Sequence, residues 1–181
     1  MSDGNLSPNV RDRLRTMRLI HASLLMGCST FAVIALVLRQ QQAAPVPEQP
    51  MLSFVGLALA GSTGLALLLV PNAVTASWRK TIARGIFPLS TTPMTDAASG
   101  SGQSIGWWGL YQTRLIITAA LIEGVIFFEL LAYLTEGPPW NLAMAALFLV
   151  GLALLFPTQE RVERWIRTQQ ELVEQQKRTI L

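Results

Sequence analysis

The chain has 181 residues, of which 51% are apolar and 14% charged, with a mean hydropathy of +0.40 and a formal net charge of +3. Soluble domains carry about 25% charged residues. Here only Glu123 and Glu129, among the charged residues, fall inside the four long apolar runs, which excludes a soluble globular domain and an intrinsically disordered chain, while a single cysteine, Cys28, excludes a disulfide scaffold.

Residues 1–17 form a basic N-terminal segment that carries Arg11, Arg13 and Arg15. Arg18 then opens a first hairpin over 18–71, with apolar runs Leu19–Leu38 and Met51–Val70 of 20 residues each. At about 1.5 Å per residue such a run covers roughly the 30 Å hydrocarbon core of a bilayer. Backbone polar groups have no partners in lipid, so each run is predicted helical. Within the first run, Leu25-Met26-Gly27-Cys28 has the form of a bacterial lipobox. Cleavage there would remove half of the span, and the apolar run continues through Ser29–Leu38, where a lipoprotein has a polar tether. An intact membrane span is therefore expected, with Cys28 as a small buried residue. His21, near the cytoplasmic end, reads as an interfacial or locally bonded residue rather than a ligand.

The second run carries Gly56, Ala60 and Gly64 at spacing four. Such a ridge of small residues lets another helix approach closely, and Gly27 and Gly124 extend the device to the first and third runs. Residues 72–113 read as a cytoplasmic amphipathic helix followed by a flexible linker. Val74, Trp78, Ile82 and Ile86 recur every four residues, with Arg79, Lys80 and Arg84 on the other side, a pattern suited to a membrane surface with anionic headgroups. The linker spans Leu89–Gly106, rich in Ser, Thr, Pro and Gly. Trp107 and Trp108 follow and fit an interfacial aromatic belt.

A second hairpin is expected over 114–157, with runs Leu115–Leu134 and Trp140–Phe156 of 20 and 17 residues. It resembles the first. Arg18-Leu19-Ile20 matches Arg114-Leu115-Ile116, and Gly64-Leu65-Ala66-Leu67-Leu68 matches Gly151-Leu152-Ala153-Leu154-Leu155. Pro71 and Pro157 each precede a basic segment holding a tryptophan, Trp78 and Trp165. This points to an internal duplication with repeats related by an axis along the membrane normal. The tail, 158–181, is predicted to be a cytoplasmic amphipathic helix with Val162, Trp165, Ile166, Leu172 and Val173 on one face.

Thirteen basic residues lie on one side of the expected spans, and one, Arg39, on the other. This predicts an inner-membrane, multi-pass protein with both termini cytoplasmic. The basic balance thus reflects orientation, and no nucleic-acid partner is expected. The fold class expected is all-α: a polytopic membrane protein with four transmembrane helices in two tandem hairpins.

Glu123 lies nine residues into the third run, near mid-bilayer, where a carboxylate is costly and is expected to face the bundle. Ser29, Thr30, Ser62 and Thr63 lie at similar depth and are the candidate oxygen partners. Glu129, six residues on, is expected to reach interfacial water. No metal-ligand spacing, phosphate loop or nucleophile–base arrangement occurs, so neither a metal nor another cofactor is expected. Ala119-Ala120-Leu121-Ile122-Glu123-Gly124, followed by Phe127 and Phe128, resembles the carboxylate-bearing helix of the rotary ATPase proteolipid, subunit c. The likeness covers about twenty residues and implies an ion-binding role for Glu123. In that family the acid lies on the second helix of its hairpin; here it lies on the first. Two functions therefore stand: a non-enzymatic accessory or scaffold subunit, as a homo-oligomer or within a heteromeric membrane complex, and a proton- or cation-handling protein that uses Glu123.

Overall fold

The computed structural model describes residues 8–42, 49–83 and 101–180. Five helices follow in order: α1 (Pro8–Gln41), α2 (Met51–Ala83), α3 (Ser101–Glu136), α4 (Pro139–Leu154) and α5 (Gln159–Ile180). Among the described residues there is no strand. The first three helices contain segments long and apolar enough to cross a membrane: Leu14–Gln41, Met51–Arg79 and Trp107–Glu136. α4 has 16 residues and reaches spanning length only together with Gln159–Gln175, beyond a break, so the described residues hold three such spans, or four if the broken pair is one.

α1, α2 and α3 contain 34, 33 and 36 residues, about 50 Å each at 1.5 Å per residue. Each is therefore longer than a hydrocarbon core. This extra length is where the sequence expectations need correction. The separate amphipathic helix expected after Pro71 is the continuation of α2, which has Pro71 in its interior. Proline removes one helix N–H, the one that would pair with Leu67 O, and α2 continues through it, with Asn72 Nδ2 donating to Leu68 O (2.8 Å) and Thr75 Oγ1 to Pro71 O (2.6 Å) alongside. Likewise, Ser101–Gly106, expected to end a linker, belongs to α3. The rest of that linker, with Arg84, lies outside the described residues.

The chain divides into two compact units. The first comprises residues 1–67 and 118–157. Its seams follow helical periodicity. Leu14, Met17, His21, Cys28 and Ala35 are buried on α1; Ser53, Gly56, Ala60 and Thr63 on α2; Ala119, Ile122, Ile126, Glu129 and Leu130 on α3; Asn141, Ala145 and Leu152 on α4. The α2 seam consists only of small residues, which permits close backbone approach. Facing out are large apolar side chains, among them Leu19, Met26, Phe54, Leu65, Leu147 and Leu154, each more than 58% exposed. An apolar exterior over a partly polar interior is the arrangement that lipid solvation allows.

The small-residue ridge is only partly the expected one. Gly56 and Ala60 are buried, but the seam continues to Thr63, and Gly64 is half-buried. Gly27 and Gly124 are exposed, and a Cβ at either would meet nothing within 4 Å. The helical phase places Cys28 and Val125 inward in their stead.

The second unit comprises residues 68–117 and 158–181. Trp107, Leu110 and Val173 are buried at its centre, with Val74, Trp78, Trp165 and Ile166 packed around them. Trp165 is its hub, edge-on to Trp107 (6.3 Å between ring centroids) and Tyr111 (5.4 Å), with the Arg114 guanidinium 5.8 Å above its ring. Trp107 and Trp108, expected at an aromatic belt, are 2% and 6% exposed and so pack within this unit. Aromatic faces gain more from one another and from a cation than from isolated exposure. Arg79 is half-buried, and the side chain of Lys80 lies outside what the structure describes.

Candidate functional site

The polar residues inside the first unit form its candidate site, beginning where α3 turns into α4. Glu136 ends α3. Gly137 follows with φ +88°, the left-handed conformation that closes helices and that glycine adopts without strain. Pro138 (φ −62°, ψ 132°) then leads into Pro139, the first residue of α4, a position where the missing N–H costs nothing. The turn is thus two residues long and leaves the Glu136 side chain beside the start of α2.

That start needs an acceptor. The first N–H groups of a helix have no partners within it, and α2 is preceded by Pro50, with no acidic residue in its first turn. Glu136 supplies the acceptor from another helix. Its Oε1 accepts from Leu52 N (2.7 Å), and its Oε2 accepts from both Ser53 N (2.8 Å) and Ser53 Oγ (2.6 Å). Asn141 Nδ2, one turn into α4, donates to Ser53 Oγ (2.7 Å). Arg39, in the last turn of α1, donates from Nη2 to Glu136 O (3.3 Å), and its guanidinium packs where a Cβ of Gly137 would lie. The anion also faces the positive end of the α2 dipole. Four helices thus meet in one polar clasp, and Ser53, Glu136 and Asn141 are each less than 9% exposed.

Two helical turns before Glu136 on the same face lies Glu129. It is 1% exposed, and neither carboxyl oxygen has a hydrogen-bond partner. Gly56 on α2 lies against the carboxyl: a Cβ there would lie 3.0 Å from both Oε1 and Oε2. The absence of a side chain at residue 56 is what gives the carboxyl its space.

A third polar contact lies toward the other end of the unit. His21 is 1% exposed, and its Nε2 lies 2.8 Å from Leu152 O. The acceptor is a carbonyl, so Nε2 carries the proton. Phe156 stands edge-on to the ring at 5.7 Å, and Arg18 Nε donates to Pro157 O at 3.2 Å. His21, expected to be interfacial or locally bonded, is a buried residue whose bond joins α1 to α4.

The ion site anticipated from the sequence is not assembled. Glu123 is half-buried, Thr63 is buried, and Ser29, Thr30 and Ser62 are exposed. Ser62 Oγ donates within its own helix to Leu59 O (2.9 Å), and among the described residues no hydrogen bond joins Glu123 to any of the four hydroxyls. The expected exposures of the two acids are reversed: Glu129, not Glu123, is the fully enclosed one. Depth along the helix suggested Glu123, but rotation about the axis decides burial. Sequence reasoning also missed Glu136, Ser53, Asn141 and Arg39. One signal was available, since a spacing of seven puts Glu129 and Glu136 on one helix face. Among the described residues no group of three or more His, Cys, Asp or Glu side chains could hold a metal ion.

No protein-family model matches this chain, and neither a curated protein nor a solved structure does.

Proposed function

We propose that this chain is a non-enzymatic, multi-pass protein of the cell (inner) membrane, serving as an accessory or scaffold subunit of a membrane complex. The observation that carries this reading is the clasp of Glu136, Ser53, Asn141 and Arg39. Its charged and polar groups, which a transport path or catalytic centre would direct at a ligand, are spent on helix ends. The clasp joins helix ends of both hairpins, and the exposed small-residue faces at Gly27 and Gly124 leave room for close approach by another transmembrane helix. In this reading α4 is the fourth span, both termini are cytoplasmic by the arginine bias, and the two hairpins descend from one duplicated unit. Basic residues of the second unit, such as Arg79, meet anionic headgroups. The alternative, ion handling through Glu123, draws no support from the geometry, because its hydroxyl partners do not converge.

Two measurements test the proposal. Reporter fusions at both ends should report the cytoplasm, and a periplasmic signal from either end would overturn the orientation. Purification in mild detergent followed by native mass spectrometry should give a stoichiometric assembly, with other subunits or further copies of this chain. A monomer that persists under conditions preserving known membrane complexes would refute the subunit role.

A further inference from the structure

A carboxyl group enclosed by apolar neighbours, with both oxygens unpartnered, has only one inexpensive state in a membrane interior: neutral, with a proton bound. Glu129 is such a group. Val125, Ile126, Leu130 and Ala132, within four residues of it on α3, are apolar and equally buried. The other titratable groups along the neighbouring elements are few. α1 from Leu19 to Gln41 contributes His21, Cys28 and Arg39, and α3 from Thr118 to Glu136 contributes Glu123, Tyr133 and Glu136, while α2 from Met51 to Ser77 and the whole of α4 contribute none. Those with bonded partners are engaged elsewhere, His21 with Leu152 O, Arg39 at the turn, and Glu136 with the first turn of α2. None donates to Glu129. The α2 wall at this level is the bare backbone of Gly56, close enough that a Cβ would press on both oxygens.

We propose that Glu129 is a proton-binding site of the membrane interior, closed by Gly56 of α2. With α2 seated, the acid retains its proton. The proton leaves to water only when the α2–α3 contact at Gly56 parts and the carboxylate becomes hydrated. Proton occupancy and helix contact are thereby linked, since each state of the acid is compatible with only one state of the contact. The inference does not depend on the subunit role proposed above, but it does rest on the membrane placement.

The test is infrared spectroscopy of the full chain, reconstituted in phosphatidylcholine vesicles that have been washed with alkaline carbonate. Loss of the protein into the wash would overturn the membrane placement itself, before any spectrum is taken. In vesicles at neutral pH, the difference between wild type and Glu129→Gln should show the loss of one carbonyl stretch of a protonated carboxyl group. Glu129→Asp should shift this band rather than abolish it, which keeps the test valid if the glutamine variant folds poorly. Gly56→Ala should shift the band and speed its exchange in heavy water. Loss of an ionised carboxylate band in Glu129→Gln, or no band change in either Glu129 variant, would overturn the proton site. A Gly56→Ala spectrum and exchange rate identical to wild type would overturn the closure by α2.

Discussion

Replacing Glu136 with alanine removes the acceptor for three donors at once: Leu52 N, Ser53 N and Ser53 Oγ, at 2.6–2.8 Å. Hydrogen bonds to a charged group contribute about 1.5–3 kcal/mol each. The three share one carboxylate and are not additive, and in the variant the two backbone donors at the helix end regain some contact with water or headgroups. The expected net loss is therefore about 3 kcal/mol, near the value of one strong bond rather than the sum. Glu136→Gln retains a single oxygen and presents an amide donor to the other N–H, so roughly half of that loss is expected. The assay is reversible unfolding in mixed micelles by rising mole fraction of sodium dodecyl sulfate, followed by far-ultraviolet circular dichroism. Glu171→Ala, at an exposed position on α5, is the control for loss of a carboxylate alone. A double-mutant cycle with Ser53→Ala isolates the side-chain bond and should give a coupling of about 1 kcal/mol. If Glu136→Ala unfolds with the control, or if the coupling falls below about 0.3 kcal/mol, Glu136 does not cap α2.

Gly137→Ala should destabilise the chain by about 1–2 kcal/mol in the same assay, because its φ of +88° is strained for any residue with a Cβ and the Arg39 guanidinium occupies that space; an unchanged midpoint would refute this. His21→Leu should cost about 1 kcal/mol by removing the hydrogen bond to Leu152 O, and an unchanged or raised stability would show that packing against Phe156 outweighs the bond. Trp165→Ala should cost about 2 kcal/mol, less than for a fully buried tryptophan because Trp165 is only half-buried. It should also raise amide hydrogen exchange in α5 and around Trp107. Exchange confined to the site of substitution would show that Trp165 is not the hub of the second unit.

Individual residues show how much was legible beforehand. The apolar runs are read directly from the sequence because their length must match a fixed bilayer thickness, and α1, α2 and α3 contain the first three of them. Helix ends were less legible. Pro71 looks like a boundary, but a proline costs a helix one N–H rather than its continuity, and α2 runs on to Ala83. The tryptophan spacing predicts amphipathic, interfacial segments, yet which ring meets which depends on contacts distant in sequence, such as Trp107 with Trp165. For the candidate site, composition showed that two acids lie within the third run. Their relative burial was not legible from depth, because six residues of helix also turn the side chain by about 120°.

Composition and the spacing of apolar residues thus determine on their own that the described chain is helical and suited to lipid, since no other backbone arrangement satisfies its polar groups within one segment. The placement of the arginines adds an expected direction of insertion. What only the tertiary structure decides is the pairing of polar groups. Glu136 finds the start of α2, His21 finds Leu152 O, and Glu129 finds nothing but the backbone of Gly56. Each outcome depends on the rotation and close approach of helices whose residues are separated by tens of positions in the chain. Local periodicity specifies which face of a helix turns inward far better than it specifies which residue of another helix that face will meet.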